Sequence, residues 1–168
     1  TMANPSFPLV VRDILPASDN LNSVTGLAFA AAALGGAVAA GVLGHFGDSW
    51  GHKRILIGCS LAAAVASTAH AFAYSMPSLY VARIFFGLSV AGMLPAANAL
   101  IRAASDRRSI GKAYGAATSL SMAGIALGPL VGGYLVGTAG LRTPFIATGI
   151  AQLLVAVIVV CTVRDDSR

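Results

Sequence analysis

The sequence predicts an all-α membrane protein: a bundle of about five full transmembrane helices plus the end of a truncated first helix. Three observations predict it. Hydrophobic residues make up 57% of the 168 residues and charged residues only 10%, against roughly 25% charged in a soluble domain. The apolar residues gather into five runs, each near the ~20 residues that a helix needs to cross a bilayer. The gaps between runs are short, which makes neighbouring helices antiparallel. A helix satisfies its own backbone hydrogen bonds, as a chain in lipid must.

The runs cover about 21–43, 55–74, 79–101, 110–136 and 144–163. The first is dense in Ala and Gly, and the third is interrupted only by Arg83. Residues 1–16 are too short to span and read as the outer end of an earlier helix; six helices with both ends in the cytoplasm would then be restored. A five-span protein with an external N-terminus is the alternative. Residues 44–54 and 102–109 read as polar, basic loops, and residues 75–78 and 137–143 as nearly uncharged ones.

The net charge of +5 does not point to nucleic acid, because the cations form no patch with interleaved aromatics. They sort by side. Lys53, Arg54, Arg102, Arg107, Arg108, Lys112, Arg164 and Arg168 fall on one side, and only Arg12 and Arg142 on the other. Lys and Arg accumulate in cytoplasmic loops, so the first side is cytoplasmic and the chain ends there. Cys59 and Cys161 lie in apolar runs as packing residues. His45, His52 and His70 are scattered and form no ligand cluster, so neither a metal nor a cofactor is expected. No nucleophile–base arrangement or phosphate loop argues for an enzyme.

Glycine is abundant, at 19 residues, mostly inside spans, where it lets helices approach closely. Gly124, Gly128 and Gly132 recur at i, i+4 and i+8, on one helix face; Gly111 and Gly115 repeat the spacing earlier.

Three constellations carry a resemblance. Gly44-His-Phe-Gly-Asp48-Ser-Trp-Gly51-His52-Lys53-Arg54 resembles the loop signature Gly-x-x-x-Asp-Arg-x-Gly-Arg-Arg of major facilitator superfamily transporters. Gly44, Asp48, Gly51 and Lys53 match; Ser49 and His52 stand where the family usually has Arg and Arg or Lys. Asp48 would cap a helix start or pair with a cation of a neighbouring helix, Gly51 would allow the tight turn, and Lys53 and Arg54 would anchor the next helix at the headgroups. Arg83 with Gly87 is similar to the Arg-x-x-x-Gly pattern of the family's fourth helix, whose Arg is tied to proton transfer. A cation at membrane depth costs about 2.5–3.5 kcal/mol or more and marks function; the competing expectation is an Arg that snorkels to the outer headgroups. Gly115-(eight residues)-Gly124-x-x-x-Gly128-Pro129-x-x-Gly132-Gly133 resembles, at every fixed position, the fifth-helix signature of the drug:proton antiporter branch. Pro129 removes a backbone hydrogen bond and would bend that helix.

The resemblance covers essentially the whole chain and implies the N-terminal six-helix half, residues 1–168, of a major facilitator-type bundle. It would rock against a C-terminal half absent from this chain and export small lipophilic compounds, driven by protons, across the bacterial cytoplasmic membrane. Partners would be the bilayer, a small-molecule substrate and protons. Asn98, Ser119 and Gln152 are span polar residues that would line a substrate cavity or join helices by hydrogen bonds. All six acids are Asp, and none falls in a predicted span. His70 is the only titratable group deep in a span with a suitable reference pKa, and a satisfied core histidine is the competing reading. An uptake symporter and a non-transporting membrane scaffold or half-transporter are the alternative functions.

Overall fold

The computed structural model describes residues 9–11 and 21–163. Five helices account for nearly all of them: α1 (Leu21–Trp50), α2 (His52–Ala71), α3 (Met76–Ala104), α4 (Ile110–Ala139) and α5 (Thr143–Thr162). Each contains a stretch long and apolar enough to cross a membrane.

Local chemistry sets the helix ends. Gly51 is the single residue between α1 and α2, and its φ of 92° lies where side chains other than hydrogen are strained. Ser75 starts α3 with a capping box to Ser78, and Pro77 sits in the first turn, where its missing N–H costs nothing. Gly140, at φ 97°, ends α4 and donates its N–H to the Val136 carbonyl.

α2 is the centre. It is the most buried helix, lies against α3 and α5, and shows those neighbours small side chains. Ala63, Ala64, Ser60 and Ser67 are almost completely enclosed. Lipid supplies no hydrophobic drive between helices, so close packing and buried hydrogen bonds hold them together. Ser67 Oγ donates to the Phe145 carbonyl of α5 at 2.8 Å. A Cβ on Gly149 would stand 2.7 Å from Thr68 Oγ1, and one on Gly92 would stand 2.7 Å from Cys59 Sγ. Ser89 and Thr148 turn back onto their own helix, to the Phe85 and Pro144 carbonyls, which satisfies them without water. Cys59 and Cys161 are both free.

The greatest departure from the expected element bounds is at 44–54. It is not an open loop: α1 continues to Trp50 and α2 resumes at His52. The segment holds no proline, and Gly51 alone makes the turn, so the helices protrude beyond the apolar spans. Pro95 and Pro129 both lie inside helices that run on past them. Of residues 1–16, read as the end of an earlier helix, only 9–11 are described. They are helical, and Val10 and Val11 are buried with Ala71, Ala73, Leu79 and Phe145. Arg12, Arg164 and Arg168 lie outside the described residues.

α1 and α3 bring their backbones close together at Gly87, where a Cβ would stand 2.7 Å from the Ala32 carbonyl oxygen and 3.0 Å from Ala32 Cβ. Gly87→Ala must therefore push two helices apart, at about 1–3 kcal/mol. Thermal unfolding of the purified protein should show a melting temperature several degrees lower. Gly58→Ala, with nothing within 4 Å of the added methyl, should leave it unchanged or slightly raised. Equal melting of the two variants would contradict the packing described.

Candidate functional site

Arg83 sits seven residues into α3, about 10 Å along the axis from its N-terminal end. Its side chain is 6% exposed and does not snorkel. The guanidinium lies over the Phe29 ring of α1, 4.1 Å from the centroid. A desolvated contact of this kind contributes about 2 kcal/mol. Gly87, one turn on, lets α1 approach closely enough for Phe29 to reach it. Arg83 lines a cavity of about 380 Å³ between α1 and α3, with Phe29, Ala33, Phe86, Val90 and Ala91 among its walls. The cavity is apolar apart from the guanidinium, in the size range of small-ligand sites.

His70 lies behind Phe86. Its ring stacks on Phe145 at 5.4 Å and meets Phe86 edge-on at 6.1 Å. Nδ1–H donates to the Ala66 carbonyl at 2.7 Å, and the residue is 2% exposed. In this arrangement it packs as a core side chain.

The 44–54 motif gathers around the Gly51 turn. Asp48 does not cap α2, whose N-cap is Gly51 with no side-chain hydrogen bond. Instead Asp48 Oδ1 stands 3.4 Å from His52 Nε2 across the break. The imidazole lies against Gly47, where any Cβ would collide with Nδ1. Lys53 is half-buried and Arg54 exposed in the first turn of α2. Cations there oppose the helix dipole. Asp48 and His52 open onto a second cavity of about 750 Å³, with Asn98, Arg102 and Tyr114 on its far side. The Tyr114 hydroxyl donates to the Asn98 carbonyl at 2.9 Å and ties α4 to α3.

The glycine motif of α4 divides. Gly128 and Gly132 are buried, whereas added methyls on Gly115, Gly124 and Gly133 would meet nothing within 4 Å. Among the described residues the expected packing face is thus engaged only at its middle, and most of α4 is exposed. Ser119 is exposed on α4 and Gln152 half-buried on α5; neither lines the two cavities, and of the expected polar trio only Asn98 does. Phe29 and Tyr114 were not foreseen from sequence. Phe29 stands seven residues before Gly36, on the face that meets Gly87, and that spacing is the signal for it.

Comparison with known proteins agrees with this architecture. The family profile of the Major Facilitator Superfamily matches residues 1–168. The chain is 40% identical over 116 residues to the Uncharacterized MFS-type transporter YuxJ of Bacillus subtilis (strain 168), covering 69% of this chain and 30% of that protein. It is 28% identical to the Multi-drug resistance efflux pump PmrA of Streptococcus pneumoniae serotype 4, over 96% of this chain and 40% of the pump. It is 32% identical to the Multidrug resistance protein MdtG of Proteus mirabilis, again over 96% of this chain and 40% of the relative. The chain therefore spans well under half the length of these relatives. With a profile match from end to end on a bundle of five membrane-length helices, this protein belongs to the Major Facilitator Superfamily.

Proposed function

We propose that this chain is the N-terminal half of an exporter of small lipophilic compounds, working by alternating access and driven by proton antiport. The observation that carries the reading is the complete glycine–proline signature on α4, from Gly115 to Gly133, with Gly128 and Gly132 buried around Pro129. A relative named as a multi-drug resistance efflux pump and another named as a multidrug resistance protein match the chain almost throughout. A protein of this kind acts as a carrier and not as an enzyme. Its second half, from outside this chain, would close over the exposed face of α4.

In this reading Arg83 is the coupling cation. It is buried beside an apolar cavity, so a change in its electrostatic partners during the cycle is felt strongly in the low dielectric. Asp48, Gly51, Lys53 and Arg54 gate the cytoplasmic side: the Gly51 turn couples α1 to α2, and the cations hold α2 at the membrane surface. Asn98, on the wall of the cytoplasmic-end cavity, is a further candidate substrate contact, whereas Ser119 and Gln152 line neither cavity.

Export by the protein expressed from its complete reading frame should fall at least tenfold in Arg83→Ala and severalfold in Gly128→Leu, read as dye efflux from energised cells. Wild-type efflux from either would remove that residue from the assigned role. Everted vesicles separate the directions: an exporter accumulates dye when the lumen is acidified, whereas dye uptake abolished by that gradient would mean a symporter.

Asp48→Asn should lower efflux while costing at most about 1 kcal/mol of stability, because Asp48 is 74% exposed and such pairs contribute little. Loss of stability in proportion to activity would make the pair structural. Cysteine replacing Lys112 should label with an impermeant thiol reagent only from the cytoplasm, and cysteine replacing Arg142 only from outside. The reverse pattern would invert the topology.

A further inference from the structure

We infer that the Gly51 turn is a pH-sensitive hinge: His52 seats against α1 only as a neutral imidazole, and a second ring proton drives it out. The hinge does not depend on the export reading. Which side of the membrane it senses rests on the proposed orientation.

The local sequence builds the seat. Helices of 30 and 20 residues meet through one glycine, so the first side chain of α2 lands beside the last turn of α1. That turn offers Gly47, whose missing side chain makes the space. A Cβ there would collide with His52 Nδ1 and stand 2.8 Å from Cε1. Nδ1 is buried and, among the described residues, has no hydrogen-bond partner. The other ring nitrogen, Nε2, stands 3.4 Å from Asp48 Oδ1.

A neutral imidazole carries one proton and one bare nitrogen. With the proton on Nε2, it meets the Asp48 carboxylate, and Nδ1 against Gly47 is only an unused acceptor. The cationic ring must also carry a proton on Nδ1, a buried donor with no acceptor. Leaving a buried donor unsatisfied shifts an equilibrium by about fivefold to a hundredfold, and more for a charged group. Asp48 offsets little of this. Its side chain is 74% exposed, and an ion pair in such a setting gains about fivefold at most. The larger effect wins, so the charged ring leaves Gly47 for water.

The surrounding groups do not supply the missing acceptor. Lys53 and Arg54 follow His52 on α2, and exposed His45 lies two residues before Gly47 on α1. Arg102 of α3 and Tyr114 of α4 line the cavity onto which His52 opens, where Asp48 is the only acid among the described residues. The Tyr114 hydroxyl donates to the Asn98 carbonyl. Lys or Arg in place of His52 would stay charged at every physiological pH, whereas an imidazole changes charge between pH 5 and 8. The Gly51 N–H donates to the Gly47 carbonyl at 3.0 Å and the Ile55 N–H to the Gly51 carbonyl at 3.3 Å. These bonds cross the break beside the ring, and they open more often once the ring has left.

Hydrogen-exchange mass spectrometry of the complete protein in detergent tests this on residues 47–55. Variants and wild type are compared at the same pH, so intrinsic exchange cancels. At about pH 5.5, below the ordinary imidazole value, the wild-type segment should exchange about threefold or more faster than in His52→Phe, which keeps a ring and cannot be charged. At about pH 7.5 the two should match. Gly47→Ala, whose methyl takes the seat, should exchange fast at both, and Asp48→Asn should keep the acid response. Slower wild-type exchange in acid, abolished in Asp48→Asn, would mean an ion pair that closes the turn and would overturn the inference. A ratio of wild type to His52→Phe that does not change with pH would overturn it too. Gly47→Ala matching wild type at about pH 7.5 would remove the seat. The readout is exchange and not transport, so the hinge and the export reading stand or fall separately.

Discussion

α1 and α3 touch where Gly87 leaves no room for a side chain, with the Ala32 backbone in the space a methyl would fill. In water, burial of apolar surface would hold two such helices together at almost any register. In lipid that drive vanishes, and only close backbone approach and specific polar contacts choose one register over another. The approach at Gly87 has a direct consequence one turn away. It brings the Phe29 ring under Arg83, so a cation that would otherwise seek headgroups is kept at the wall of a cavity.

The same rule, small residues for proximity and self-satisfied hydroxyls for polarity, organises the rest of the bundle. α2 reaches the centre because alanine and serine give it a thin profile; Ser67 bonds across to α5 while Thr68 turns back to the Ala64 carbonyl on its own helix. α4 obeys the rule only in part. Its glycines are as closely spaced as any here, yet Gly115, Gly124 and Gly133 have no neighbour.

At the Gly51 turn the physics changes from packing to hinge mechanics. Two long helices join through one residue, and that residue is a glycine because φ near 92° admits little else. Asp48 and His52 bracket it. Where the family usually has a permanently charged residue this chain has an imidazole, which fits flat against Gly47. The turn is therefore set by backbone conformation and shape more than by a strong ion pair.

Much of this was legible in the sequence. Composition and apolar runs determined the fold class, because runs of about 20 apolar residues have the length of a spanning helix, which satisfies its own backbone in lipid. The Gly51 turn and the Arg83–Gly87 pairing followed from residue chemistry at short range, and the motifs pointed to the family that the profile match bears out. Tertiary structure decided the rest. Whether Arg83 snorkels or turns inward depends on Phe29, more than fifty positions away in the chain. Whether Asp48 caps a helix depends on how far α1 continues, which polar residues outside the membrane do not reveal. Which glycines of α4 are engaged depends on neighbours that periodicity cannot name. Sequence specifies the face a residue occupies on its helix; only the packed bundle specifies what lies opposite, because helix pairing in lipid is settled by contacts between distant segments.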